Sequence, residues 1–130
     1  MSDPRSLIKG TDFVMVPTRD FDAAVEFFDT VLGLPLSVRY GSHPGGELET
    51  GNLTLSLMQS ESFGVEFNPN RNPIALRVDD VDAARSELES HGVEFVVQFD
   101  SGVCHQAIFH DPDGNAFVLH HRYAQRSDKG

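Results

Sequence analysis

The sequence predicts an α+β fold made of two tandem βαβββ modules, and three observations predict it. Asp20, Asp22, Ala23 and Ala24 recur as Asp80, Asp82, Ala83 and Ala84, each sixty positions on, which is the mark of a duplicated unit. In both copies a short apolar segment runs into a helical pattern, FVMVPTRDFDAAVEFF in the front half and PIALRVDDVDAARSEL in the back half. Three further alternating segments, separated by turn residues, then follow in each half.

Each module opens on a strand, residues 12–17 and 74–78, whose β-branched and apolar content suits a buried sheet position. A helix comes next. In the first, Ala24, Phe27, Phe28 and Val31 fall at i, i+3, i+4 and i+7 and form one apolar stripe; in the second, Val81, Ala84 and Leu88 do so. Gly33 and Gly92 stand where a helix C-terminus favours a left-handed residue. Asp20 and Asp22, like Asp80 and Asp82, are placed to cap free N–H groups and to oppose the helix dipole. The remaining strands are expected at residues 36–40, 47–50 and 53–58, then at 94–99, 103–110 and 116–121. The last hairpin of the second module carries Asp111-Pro112-Asp113-Gly114-Asn115, a turn in which proline presets φ and glycine takes its positive value. Gly51-Asn52 is the matching turn of the first.

With 130 residues the chain is long enough for one core and too short for two. A single domain is expected, with module one at about residues 9–59, a polar linker or lid at about 60–72 bearing Phe63 and Phe67, module two at about 73–123, and a tail at 124–130 expected to fray. No segment approaches the roughly 18 to 20 apolar residues of a membrane helix, and the start lacks the apolar centre of a signal peptide. The lone Cys104 cannot form an internal disulfide, which fits a reducing, cytoplasmic setting. Twenty acidic residues against ten basic ones give a net charge of −10, which disfavours nucleic acid as a partner and favours a cationic one.

The order strand-DFDAAVEFFDTVLGL, strand-DDVDAARSELESHGV and FHDPDGNAFVLHH, together with the sixty-residue offset, resembles the vicinal-oxygen-chelate superfamily of glyoxalases, bleomycin-resistance proteins and extradiol dioxygenases, over about residues 9–123. The resemblance implies a cupped mixed sheet with helices outside, a ligand cavity inside, and a homodimer. It also implies four places for metal-ligating His, Gln or Glu, at the start of each module's first strand and midway along its last. In this chain those places fall on Phe13, Leu55, Pro73 and Val118, none of which can bind a divalent cation. No metal and no cofactor is therefore expected. A register shift of one residue would substitute Asp12, Thr54, Ser56, Asn72, Phe117 or Leu119, of which only Asp12 is an ordinary ligand.

From those anchors, strand alternation turns Met15, Leu53, Leu57, Ala75, Arg77, Ala116 and His120 inward as well, and antiparallel pairing sets Ile108 opposite Val118 and Gln106 opposite His120, with Cys104 one step further. The expected ligand-binding set is thus Phe13, Met15, Leu55, Arg77, Cys104, Gln106, Ile108, Val118 and His120, a mostly apolar lining with a few polar groups. His120 is the one candidate for catalysis, since a neutral imidazole moves protons near neutral pH. Arg77 suits an anionic group, and His105, His110 and His121 are expected on the opposite face or at the turn. Three readings follow: a metal-free binder of a small organic molecule resembling the bleomycin-resistance branch, an enzyme of isomerase, lyase or dioxygenase type with an atypical site at His120 or with rearranged metal ligands, or a partner-binding scaffold with no ligand.

Overall fold

A computed structural model describes residues 7–125, and the expectation of a frayed tail falls, from residue 126 on, outside them. The first module runs β1 (Val14–Thr18), α1 (Phe21–Glu26), β2 (Leu36–Arg39), β3 (Gly45–Glu49) and β4 (Thr54–Gln59). The second runs β5 (Ile74–Arg77), α2 (Val81–Ser90), β6 (Phe95–Asp100), β7 (Cys104–His110) and β8 (Ala116–Arg122). The eight strands divide into two four-stranded sheets of the same topology, β1-β4-β3-β2 and β5-β8-β7-β6, each with one parallel pair and two antiparallel pairs. The duplication read in the sequence is therefore a duplication of structure.

The helix starts repeat to the atom. Asp20 accepts a hydrogen bond from Ala23 N at 3.1 Å, and Asp80 accepts one from Ala83 N at 3.0 Å, each satisfying one of the amides a helix leaves free at its N-terminus. The helix ends do not repeat. After α1 the chain continues as a π turn over Phe27–Val31, whereas α2 stays α-helical to Ser90. Phe28 and Leu88 are sixty positions apart, but Gly33 and Gly92, both at positive φ, are fifty-nine apart. Module one thus has one extra residue between them, and a widened turn is how a helix absorbs it.

One core serves both modules. Val16, Leu48, Leu55 and Leu57 from the first sheet, Ala107, Phe109, Phe117 and Leu119 from the second, and Ala24, Phe28, Val81 and Leu88 from the helices form a single buried cluster. Phe28 meets Phe117 edge-on with ring centroids 5.8 Å apart, and Phe117 stacks on Phe109 at 5.7 Å, so aromatic packing crosses from module one into the middle of module two.

Polar contacts hold the same seam. In the turn after β7, Asp111 accepts from the amides of Asp113 and Asn115 and from the Asn115 side chain. Held in this way, Asn115 donates to the Pro17 carbonyl at 2.8 Å and accepts from Asn70 N at 2.8 Å. Asp113 accepts from Thr18 Oγ1 and from Arg19 N. The linker is a short 3-10 turn at Ser60–Phe63 followed by loop; Asn70 ties it to the start of β8, and Phe67 lies under the Arg19 guanidinium.

Candidate functional site

Each sheet gives one face to the shared core, and alternation along the strands decides which side chains the other, open face receives; along the middle strands even that face is covered, with Ser56, Cys104 and Val118 all buried. On the first sheet, Val14 and Val16 pack on the core while Met15 turns out, 53% exposed, and Phe13 just ahead of the strand is 44% exposed. On the second, Ile74 and Leu76 pack inward, which turns Ala75 and Arg77 out.

The pairing across module two follows the sequence expectation. Ile108 lies opposite Val118, and Gln106 opposite His120; Ala75 and Arg77 neighbour Val118 and His120 in turn. Cys104 is on the same face opposite Arg122, whose Nη1 approaches its sulfur at 3.9 Å. Arg122 Nε is buried without a partner among the described residues. Gln106 and His120 share a rung, but no hydrogen bond joins them. Val97 and Phe99, paired with Ile108 and Gln106, extend this face, each more than two-fifths exposed.

Leu55 is a correction. It was expected to line the ligand site, yet it is 0% exposed and belongs to the core, as does Leu57. The register gives the reason: Leu55 pairs with Val14 and Ser56 with Met15 in module one, as Phe117 pairs with Ile74 and Val118 with Ala75 in module two. Ser56 is thus the counterpart of Val118, and Leu55 is the counterpart of the core residue Phe117. A shift of one residue along a strand exchanges its faces.

The corrected register brings together a cluster that sequence reasoning missed. Glu47 pairs with Ser56 on the open face, and the Tyr40 hydroxyl reaches both, donating to Glu47 Oε2 at 2.7 Å and lying 2.9 Å from Ser56 Oγ. Partial burial pushes the Tyr40 phenol above its ordinary value; the Ser56 hydrogen bond opposes this, and the Glu47 carboxylate adds to it. Alternating Glu47, Leu48 and Glu49 in β3 was the available signal. Its next rung is Glu49, which accepts from Thr54 Oγ1 at 2.8 Å. The two open faces differ in charge as a result: the first carries Glu47 and Glu49, the second Arg77, His120 and Arg122.

With the register corrected, the four places corresponding to metal ligands are held by Phe13, Ser56, Pro73 and Val118. Three have no lone pair to offer, and one neutral hydroxyl does not hold a divalent ion. Among the described residues no three His, Cys, Asp or Glu side chains converge as a metal-binding group. The residues present do not fit the metal that such a fold commonly carries.

A family model described as the Glyoxalase/Bleomycin resistance protein/Dioxygenase superfamily matches residues 10–119. Among solved structures, the fold is similar to a member of that superfamily from Sphaerobacter thermophilus, with a TM-score of 0.76 and 21% identity, covering 88% of this chain and 98% of that one. It is similar also to an antibiotic-binding protein from a Streptomyces species, with a TM-score of 0.74 and 26% identity over 89% of this chain and 98% of the other. A lactoylglutathione lyase from Agrobacterium tumefaciens shares the fold at 17% identity and a TM-score of 0.70, over 88% and 94% of the two chains. No curated protein sequence matches.

Proposed function

Because the chain belongs to the glyoxalase/bleomycin resistance protein/dioxygenase superfamily, we propose that it is a metal-independent binding protein that takes up a small, partly aromatic organic molecule on the open faces of its sheets. The observation that carries this reading is the donor-poor set Phe13, Ser56, Pro73 and Val118 at the family's ligand places. A metal-dependent member needs charged or imidazole donors there; this chain presents an aromatic ring, a proline, a valine and a neutral hydroxyl.

The rest of the surface suits a bound organic molecule. Phe13, Met15, Val97 and Phe99 offer exposed apolar area, and Arg77, Gln106 and His120 supply the few polar groups that orient a ligand. The structural neighbour described as antibiotic-binding supports the same direction. A second copy of the chain completes the site. Apolar area of this kind on a soluble domain marks a partner surface, and a two-fold dimer that lays the first sheet of one protomer against the second sheet of its partner sets Glu47 and Glu49 near Arg77 and Arg122. The single buried cysteine is compatible with life in the cytoplasm.

The test combines three measurements on the purified full chain. Elemental analysis of protein prepared without chelator gives far less than one equivalent of zinc, iron, manganese or nickel. Sedimentation gives a dimer. Calorimetry against a panel of cationic, aromatic natural products gives a saturable binder whose affinity falls about tenfold or more in Phe13→Ala. Stoichiometric metal would overturn the reading and favour an enzyme with rearranged ligands; turnover abolished by His120→Ala without metal would favour proton-transfer catalysis.

A further inference from the structure

β1 and β5 are both sheet edges, each paired on one side only, and the structure ties the C-terminal end of one edge and leaves the other untied. Val78 N donates to His120 O at 3.0 Å, so the even-numbered residues of β5 bond to β8, and Ala75 and Arg77 turn their main-chain N–H and C=O groups outward. Met15 and Pro17 hold the equivalent positions in β1. The β1 edge is stitched: Asn115 binds the Pro17 carbonyl and Asp113 binds Arg19 N.

The equivalent turn in module one does not do the same. The turn at residues 50–53 closes with Thr50 N donating to Leu53 O at 3.0 Å, where the turn at 111–115 closes with Asp111 N donating to Asn115 O at 2.9 Å. It is one residue shorter, and Leu53 stands where Asn115 stands, with no amide to offer the strand. Among the described residues, the outward main-chain groups of Ala75 and Arg77 make no hydrogen bond. A cavity of about 580 Å³ opens beside them instead. Leu76, Leu88 and Leu119 give it an apolar floor, and Thr30, Asn52 and Glu87 contribute polar groups. One wall is the π turn, where the extra residue of module one is accommodated. Such widened turns recur at functional positions.

We propose that this cavity is a binding site for a short, extended, peptide-like ligand: two consecutive amides flanking an apolar side chain. The free edge presents donors and acceptors in the alternating row of a β-strand, and the complement of that row is another amide backbone. The volume lies within the range of small-ligand sites, and the floor takes the apolar side chain. The site is separate from the open-face site, of whose expected ligand residues only Arg77 borders it, so either can fail without the other.

Titration of the isotope-labelled full chain with N-acetyl-leucine N-methylamide, followed by amide NMR, tests the assignment. The Ala75 and Arg77 amide signals shift saturably with a dissociation constant on the order of 1 mM, while those of Phe13 and His120 hold still. Ala84→Leu, which fills the cavity from α2, weakens the response about tenfold. Unmoved Ala75 and Arg77 signals at saturating probe would overturn the proposal, as would shifts unchanged in a folded Ala84→Leu. Shifts that track protein concentration without probe would overturn it in favour of a second copy on this edge. The wild-type titration is decisive even if the variant does not fold.

Discussion

Asn115 and Pro17 are 98 residues apart, and a single hydrogen bond of 2.8 Å from the side-chain amide of one to the carbonyl of the other ties the last turn of module two to the first strand of module one. Asn115 is almost fully buried and also bonds Asp111 and Asn70. Truncation leaves several buried polar groups without partners. Asn115→Ala is expected to lower stability by about 3 kcal/mol in chemical denaturation; a loss below about 0.5 kcal/mol would show that the seam does not depend on it.

Phe28→Ala removes the ring that reaches from α1 onto Phe117. The expected loss is about 3 to 5 kcal/mol, and it should appear as one transition moved to lower denaturant, because the modules share their core. Two separated transitions in the variant would contradict a common core.

Gly46 sits against the neighbouring strand, beside the irregularity between Leu36 and Val38. A Cβ there would lie 2.3 Å from the Val38 carbonyl oxygen and 2.7 Å from a Leu36 methyl. Gly46→Ala is expected to destabilise by about 1 to 3 kcal/mol, and its effect should fall on the first sheet, read as faster amide exchange in β2 and β3 than in β6 and β7.

The chain has two tyrosines and no tryptophan, so alkaline ultraviolet titration reads both phenols directly. Both are raised above the ordinary 10.0, Tyr40 by burial first, and Tyr123 by its hydrogen bond to Asp100 first. A folded state that holds a proton more tightly than the unfolded chain gains stability from it below the unfolded value, and loses that gain as pH rises through the raised one. Neither tyrosine should reach its midpoint at or below 10.0 in folded protein, and Tyr40→Phe should leave one high-pH transition.

Two carboxyl groups move in opposite directions. Asp100 is held below 3.8 by the Gly102 amide first and the Tyr123 hydroxyl next; Asp111 is raised above 3.8 by burial, against the hydrogen bonds it accepts from Asn115. The Asp100 contribution to stability is therefore present above 3.8 and lost as pH falls through its lowered value. That of Asp111 is present below 3.8 and lost as pH rises through its raised value. Carbon-detected NMR titration of the side chains should order the midpoints Asp100 below 3.8 and Asp111 above it; the reverse order would refute this electrostatic account.

Much of this architecture was legible in the residues. The Asp20 and Asp80 repeat located both helix starts, and the Asp111–Asn115 turn fixed the pairing of Ile108 with Val118 and Gln106 with His120. Placing Leu55 on the ligand face failed because the ligand place was set by position along the strand, although Thr54, Ser56 and Glu47 already marked the polar side and Leu48, Leu55 and Leu57 the apolar one. The Tyr40–Glu47–Ser56 cluster needed the pairing of three strands across an irregular register, which no local pattern specifies. The π turn was less hidden: the spacing from Asp20 to Gly33 is one longer than from Asp80 to Gly92, and a surplus residue inside a helix must be stored somewhere.

A core shared by both modules has a consequence for how the protein breaks. Cutting the main chain within residues 64–69 severs the only covalent tie between the halves but removes none of the rings that interlock Phe28, Phe117 and Phe109. A nicked molecule should therefore elute as one particle, and the two halves expressed as separate polypeptides should stay unfolded until mixed.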